Sequence, residues 1–151
     1  MRAGAWPARM TRIDFHFNAP GKVAYTCRLV RKARAAGHKL VIYSGNPALL
    51  SELDRALWTF SPLDFLAHCS AQDELAARTP ILLAATACET AHHDVLVNLD
   101  ADRPEFFPRF ERMIEVVTGD DDDRGAARER WKYYKERGYA VTHFDIGGTS
   151  A

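Results

Sequence analysis

The sequence of 151 residues contains few cysteines, and their pattern does not suggest that they are joined. Cys27, Cys69 and Cys88 are odd in number and widely spaced, and no Cys-x-x-Cys pair occurs. A disulfide framework normally shows an even set of cysteines in a short secreted chain. We therefore expect reduced thiols and a cytoplasmic location.

Long hydrophobic runs are also missing. No stretch stays apolar over the roughly 20 residues that a membrane-spanning helix needs, so we expect no contact with a membrane. Residues 1–9 lack the apolar segment of a signal peptide. We expect them to form an unstructured leader, with Met10 as the true start of the protein.

An excess of either charge is absent. Twenty Lys and Arg balance twenty Asp and Glu, which argues against a polyelectrolyte that binds nucleic acid with its whole surface. Any electrostatic recognition must then come from local patches. The hydrophobic fraction of 47% is ordinary for a globular protein, and this length predicts one domain, over residues 10–146, with a frayed tail over residues 147–151.

Motifs for nucleotides and for covalent catalysis are lacking as well. The turn Pro20-Gly21-Lys22 follows a predicted strand, but it lacks the first glycine, the spacer and the hydroxyl residue of a P-loop. No Gly-x-Gly-x-x-Gly follows a strand, and no Gly-x-Ser-x-Gly marks a nucleophile. We therefore expect neither a bound cofactor nor a catalytic site.

One group of residues has the side chains that zinc prefers. Cys88 and His92 are spaced Cys-x3-His, and His93 follows directly. A fourth ligand would have to come from His68 or Cys69, far away in sequence, and adjacent histidines on an extended chain point to opposite faces. The sequence therefore favours no metal site here.

Strand-like and helical segments alternate along the chain. Predicted strands cover residues 13–17, 39–43, 80–85, 94–99, 113–117 and 141–144. Predicted helices cover residues 22–36, with Gly37 as the C-terminal cap, a segment that opens at Pro47, a short piece around 105–107 and a long segment from Arg124. This alternation is typical of βαβ units and predicts an α/β fold with a mostly parallel sheet.

The most basic helical stretch covers residues 124–137, with six Arg or Lys and two Glu. Four of its cations recur at steps of four, four and three residues and form a basic stripe: Arg124, Arg128, Lys132 and Lys135. An adjacent face has the spacing of core residues: Ala127, Trp131 and Tyr134. Like charges four residues apart cost about 0.2–0.5 kcal/mol per pair, a cost that an anionic ligand would remove. A solvated outer face fits the same spacing.

Aromatic residues crowd a proline break in the middle of the chain. Trp58, Phe60 and Phe65 surround Ser61 and Pro62. Such a density of aromatic side chains is compatible with a core segment or with an exposed patch that binds a partner.

Several tracts, in this order, resemble one known family. They are LDRALW at residues 53–58, DVLVNL at 94–99, FF followed by ERMIEVV within 106–117, and ARERWKYYKERGY at 127–139. Together they resemble the chi subunit of bacterial DNA polymerase III. The resemblance runs from about Met10 to the C-terminus, and the last tract is its most specific part.

The resemblance implies a single-domain, Rossmann-like α/β fold without a nucleotide site. It also implies an accessory subunit of the clamp loader rather than an enzyme. Members of the family bind the psi subunit with one surface. With a separate surface they bind the acidic C-terminal tail of single-stranded-DNA-binding protein, which ends in a hydrophobic residue, commonly Phe, and a free carboxylate.

The family's binding residues carry over to specific positions of this chain. The tail site corresponds to Arg124, Arg128, Trp131 and Lys132, with Val117 as a pocket wall. Position 131 is more usually Tyr in the family, so Trp131 keeps the aromatic face and loses the hydroxyl. The psi surface corresponds to Trp58 and Phe65, although a helicase is another partner that could use them.

Two other functions remain open at the level of sequence. The basic stripe could bind single-stranded nucleic acid directly, although the balanced total charge and the acidic run at residues 120–123 argue against it. The chain could also be a degenerate nucleotide-fold enzyme. If the chain functions as the resemblance implies, we expect it to contact nucleic acid only indirectly, through its protein partners.

Overall fold

The computed structural model describes residues 10–59, 66–87 and 90–147. The strands are β1 (Arg12–Ala19), β2 (Leu40–Tyr43), β3 (His68–Ser70), β4 (Ile81–Ala84), β5 (Val95–Asn98), β6 (Arg112–Thr118) and β7 (Val141–Asp145). The helices are α1 (Lys22–Ala35), α2 (Pro47–Thr59) and α3 (Asp121–Glu136), with short 3-10 turns at Ala76–Arg78 and Phe107–Arg109. The predicted leader, residues 1–9, lies outside the described residues, as does all of the predicted tail except Gly147.

The seven strands form one sheet in the order β3-β4-β2-β5-β6-β1-β7. Every neighbouring pair is parallel, so the predicted α/β, single-domain architecture is confirmed and the sheet is fully rather than mostly parallel. Among the strands of the described residues, the three-residue β3 alone was not predicted, because so short a strand leaves little alternation in the sequence. None of the helices in the described ranges is long and apolar enough to cross a membrane.

The two helices α1 and α2 cover one face of the sheet. The helix α1 ends at Ala35 with Ala36 as its C-cap, one residue earlier than predicted, and Gly37 follows with φ of 87°. The predicted start of α2 at Pro47 is confirmed. Asn46 supports the start of α2, because its Oδ1 accepts a hydrogen bond from the Ala48 amide at 3.0 Å. Beneath the helices, Val30 and Leu53 are fully buried against the sheet.

The other face of the sheet is covered by α3 and by the segment around the second 3-10 turn. Phe107 and Phe110 are buried there with Tyr134 of α3. The central strands therefore face apolar layers on both sides, which explains why β4 and β5 are buried along their whole length.

The helix α3 begins at Asp121, three residues before its predicted start at Arg124. Asp120 is the N-cap, and its side chain accepts from the Asp123 amide at 3.4 Å. The Asp123 carboxylate accepts from the amide of Thr118 at 2.8 Å and from its hydroxyl at 3.0 Å. The acidic run thus forms the first turn, where carboxylates stabilise the helix dipole, and ties α3 to the end of β6.

Candidate functional site

A groove of about 290 Å³ opens between α3 and the strands β1, β6 and β7. Strand register brings β1 and β7 together here, since Phe15 pairs with His143. The groove is lined by Phe15, Phe17, Val117, Arg124, Ala127, Arg128, Trp131 and His143. Four of the five residues predicted for the tail site, namely Val117, Arg124, Arg128 and Trp131, therefore meet at one place.

The floor and one wall of the groove are apolar. Phe15 and Val117 are buried, and the ring of Trp131 packs against Phe15 with a centroid distance of 5.3 Å. Trp131 also meets the exposed ring of His143 edge-on at 5.3 Å. Because Trp131 is only half-buried, its indole forms an aromatic wall that a ligand can reach.

The rim of the groove is cationic. Arg124 and Arg128 are both exposed, and neither has an ion-pair partner among the described residues. An arginine guanidinium can bind a carboxylate through two parallel hydrogen bonds. A ligand with an apolar group beside a carboxylate matches this combination of floor and rim.

The fifth predicted residue, Lys132, does not line the groove. It lines a separate cavity with Arg130 and Tyr133, and its Nζ lies 3.8 Å from Oε2 of Glu129. On a helix of 3.6 residues per turn, each step of four residues rotates the position by roughly 40°. Two such steps from Arg124 carry Lys132 away from the groove, so the basic stripe divides between two surfaces.

Sequence reasoning did not assign four of the groove residues to the site: Phe15, Phe17, Ala127 and His143. The alternation at residues 13–17 places both Phe side chains on one face of the first strand. It does not reveal that this face would lie beneath α3, because only the tertiary structure pairs β1 with β6 and β7.

A buried ion pair fixes α3 beneath the groove. Arg130 Nε donates to Oε1 of Glu115 at 3.1 Å, and Asn98 Nδ2 donates to the same oxygen at 2.8 Å. Tyr134 donates its hydroxyl to Oε2 of Glu115 at 2.6 Å. Burial, and next the nearby Glu115 carboxylate, raise the pKa of Tyr134 far above its ordinary value, so the phenol stays protonated. This cluster joins α3 to β6 at Arg130, the residue directly before Trp131.

The second predicted surface is described only in part. Trp58 is 52% exposed, and its ring lies 4.3 Å from that of buried His68. His68 in turn is held by Asp54, whose Oδ1 is 3.0 Å from Nε2. Phe65, the other residue predicted for this surface, lies outside the described residues.

The residues considered for phosphate binding have internal partners. Lys22, at the position compared with a P-loop, donates to the Leu99 carbonyl at 2.7 Å and to Oδ1 of Asp123 at 3.3 Å. It therefore links the start of α1 to the start of α3.

The residues considered for a metal site form no cluster within the described part of the chain. His92 is buried with Nε2 2.6 Å from the Thr79 carbonyl, His93 is exposed, and Cys88 lies outside the described residues. Among the residues that the structure describes, no three His, Cys, Asp or Glu side chains could hold a metal ion together.

Comparison with known proteins gives one consistent result. The family described as "DNA polymerase III chi subunit, HolC" matches residues 10–142. The chain is 34% identical over 136 residues to DNA polymerase III subunit chi of Pseudomonas aeruginosa, covering 87% of this chain and 94% of that protein. It is 28% identical to the Haemophilus influenzae protein of the same name, over 80% of this chain and 85% of that one. The Escherichia coli protein of that name is 24% identical, over 75% and 78%.

Proposed function

The chain belongs to the family of the DNA polymerase III chi subunit, and on that premise we propose that it is a non-catalytic adaptor of the replication machinery in the cytoplasm. Its groove beside α3 binds the acidic C-terminal tail of single-stranded-DNA-binding protein. A second surface around Trp58 binds the psi subunit and so links the chain to the clamp loader. The observation that carries the proposal is the groove itself, which joins an apolar floor to two unpaired arginines within the described chain.

Recognition of the tail divides between the two parts of the groove. The terminal Phe ring packs on Trp131 and on the floor formed by Phe15 and Val117. The free carboxylate of the chain end binds the guanidinium of Arg128, which lies one turn along α3 from Arg124. Arg124 then adds a second positive charge for the acidic residues that precede the Phe.

This site discriminates a chain end from an internal segment. An internal Phe could fill the apolar floor but would bring no carboxylate to the rim, and the arginine would lose its charge-assisted hydrogen bonds. A groove of this size supports only a small interface, so we expect affinities around micromolar. Several tails on one oligomeric partner would raise the overall avidity.

The test is fluorescence anisotropy with a labelled peptide that has an acidic stretch and a C-terminal Phe. The free acid should bind, and amidation of the C-terminus should weaken binding about ten- to a hundredfold, because one charge-assisted contact is worth about 1.5–3 kcal/mol. Arg128→Ala should weaken binding by a similar factor. Lys135→Ala is the matched control, since Lys135 is an exposed cation of the same helix that does not line the groove.

Raising the salt concentration should moderately lower the affinity for the peptide without abolishing binding, because burial of the Phe ring is insensitive to screening. Equal affinity for the free acid and the amide, with Arg128→Ala binding like the wild type, would make the rim a solvated surface and refute the proposal.

Two observations support the remaining parts of the proposal. Trp58 is a large aromatic side chain with half its area exposed, and aromatic residues are enriched at partner surfaces. The division of the basic stripe between two surfaces removes the continuous row of cations that direct binding of nucleic acid along α3 would need.

A further inference from the structure

The helix α1 has a charge that the proposed function does not use. Between Lys22 and Ala35 it has five Lys or Arg and no Asp or Glu, although the whole chain is neutral. The five are Lys22, Arg28, Arg31, Lys32 and Arg34. Solvated helix faces usually have positive and negative side chains interspersed, so this excess of positive charge favours an anionic partner for α1.

Two of these cations are available for a partner. Arg28 and Lys32 are exposed and lie one turn apart, and neither forms an ion pair with any residue that the structure describes. Lys22 differs, since it binds Asp123, and Arg34 donates to the His38 carbonyl at 2.9 Å. The exposed side of α1 is therefore positively charged in its middle turns.

Aromatic side chains continue this basic face toward the edge of the sheet. The hydroxyl of Tyr25 lies 2.5 Å from Nδ1 of His16, and the His16 ring meets Phe144 edge-on at 5.4 Å. Phe144 belongs to the edge strand β7 and is 49% exposed. The three rings thus form a row that starts on α1, beside Arg28, and ends at the exposed edge.

Acidic groups near this row are already occupied. Asp14 Oδ2 lies 2.6 Å from Nη2 of Arg112, and Thr142 donates its hydroxyl to the other oxygen of Asp14. Asp145 accepts from Asn18 Nδ2 at 3.0 Å. Neither carboxylate pairs with Arg28 or Lys32.

We propose that the face formed by α1 and β7 binds single-stranded DNA, with phosphates at Arg28 and Lys32 and a base stacked on Phe144. Cations that follow a backbone, together with an exposed ring, are the two components of sequence-independent single-strand binding. The choice of DNA among polyanions rests on the proposed function, because the family's polymerase acts on DNA.

This face lies across the sheet from the peptide groove. Side chains alternate along β1, so His16 points toward α1 while Phe15 and Phe17 point toward α3. The two sites share no residue, and a single-stranded segment and a protein tail could occupy the chain at the same time. A weak contact with DNA would then complement the indirect link through protein partners.

The experiment measures binding of a fluorescein-labelled oligothymidylate to the full chain by anisotropy over a series of salt concentrations. We expect weak binding at low salt that falls steeply as salt rises. The double variant Arg28→Gln/Lys32→Gln should reduce the slope of log K against log salt by about 1.4, since each lost phosphate contact removes about 0.7 on a single strand. Glutamine keeps the helix propensity of the residues it replaces.

The ring is tested separately. Phe144→Thr keeps a residue that suits a β-strand and should weaken oligothymidylate binding about tenfold, while Phe144→Tyr should bind like the wild type. Lys135→Gln on α3 is the matched charge control and should keep the wild-type slope. Binding of the free-acid peptide in the α3 groove should be unchanged in every α1 and β7 variant, which verifies their folding and tests the two sites independently.

Three results would overturn the inference. They are an unchanged slope in the double variant, an equal loss of slope in Lys135→Gln, and a double variant that loses acidic-peptide binding while oligothymidylate binding persists. The last result would assign the face to an acidic protein instead. Failure of the peptide to bind at all, with oligothymidylate binding as described, would refute the peptide groove and leave the DNA face standing.

Discussion

Arg130 of α3 and Glu115 of β6 form an ion pair across 3.1 Å, and the exposed fractions of their side chains are 4% and 0%. A carboxylate so deeply buried is stabilised only if hydrogen bonds satisfy its oxygens, and here Asn98 and Tyr134 supply them. Arg130 also donates from Nη1 to the Ala101 carbonyl at 2.6 Å. The pair therefore joins α3, β6 and the loop after β5 beneath the candidate groove.

Removing the charge of Glu115 should be costly. Glu115→Gln leaves the Arg130 guanidinium buried without a counter-ion, and we expect a loss of about 3–5 kcal/mol in the free energy of unfolding. Urea denaturation measures it. Glu129→Gln, which breaks the exposed pair with Lys132, is the matched control and should leave the denaturation midpoint almost unchanged. Similar midpoints for the two variants would mean that the buried pair does not stabilise α3.

The geometry of α3 separates the two cations Arg124 and Lys132. Arg124 lines the groove and Lys132 does not. Arg124→Ala should therefore lower the affinity for the free-acid peptide more than Lys132→Ala does. Both substitutions remove one exposed charge from the same helix, which makes each the control for the other. Anisotropy titrations at one fixed salt concentration give the comparison. Equal losses would indicate long-range electrostatic attraction rather than contact in the groove.

Trp58 and Leu57 are neighbours in α2 with opposite exposures, 52% and 2%. We expect Trp58→Ala to reduce the melting temperature only slightly and to abolish co-purification with psi. Leu57→Ala should destabilise the fold by about 2–5 kcal/mol, the usual cost of truncating a buried leucine. If thermal unfolding shows that Trp58→Ala is as destabilising as Leu57→Ala, the tryptophan is a core residue and not a partner surface.

Protonation of His16 should lower the free energy of unfolding in mild acid. Burial lowers its pKa below the ordinary 6.5, Asp14 opposes this shift, and Arg112 and Lys32 add to it. The unfolded chain therefore binds a proton at a higher pH than the folded chain, and the free energy of unfolding decreases as pH falls from about 6.5 through the folded-state pKa. Protonation makes both ring nitrogens donors, so the Tyr25 hydroxyl oxygen would then have to accept from Nδ1.

The measurement is the pH dependence of urea unfolding for the wild type and for His16→Gln. The variant should lose less stability than the wild type between pH values of about 7 and 5, since its side chain does not titrate. His143→Gln removes an exposed imidazole and is the control. A wild-type pH dependence in His16→Gln would show that other groups cause the acid sensitivity.

The sequence by itself determined the class of the fold and most of its elements. Apolar runs and alternation predicted six of the seven strands that the structure describes, and helical periodicity predicted the long helices. The local chemistry of Gly37 and Pro47 indicated where α1 ends and where α2 begins. These features depend on residues close together in the chain, whose spacing the sequence records directly. The resemblance also predicted that Arg124, Arg128 and Trp131 belong to one site, and the structure does bring them to one groove.

Only the tertiary structure decided what faces these residues. Periodicity shows which side of an element is apolar, but it does not show which element covers it. The parallel register places His143 beside Phe15 and so completes the groove, while the pitch of α3 turns Lys132 away. Glu115 is a charged residue within the buried strand β6, and its partner is Arg130, fifteen residues away in sequence and brought opposite it by the packing of α3 on β6.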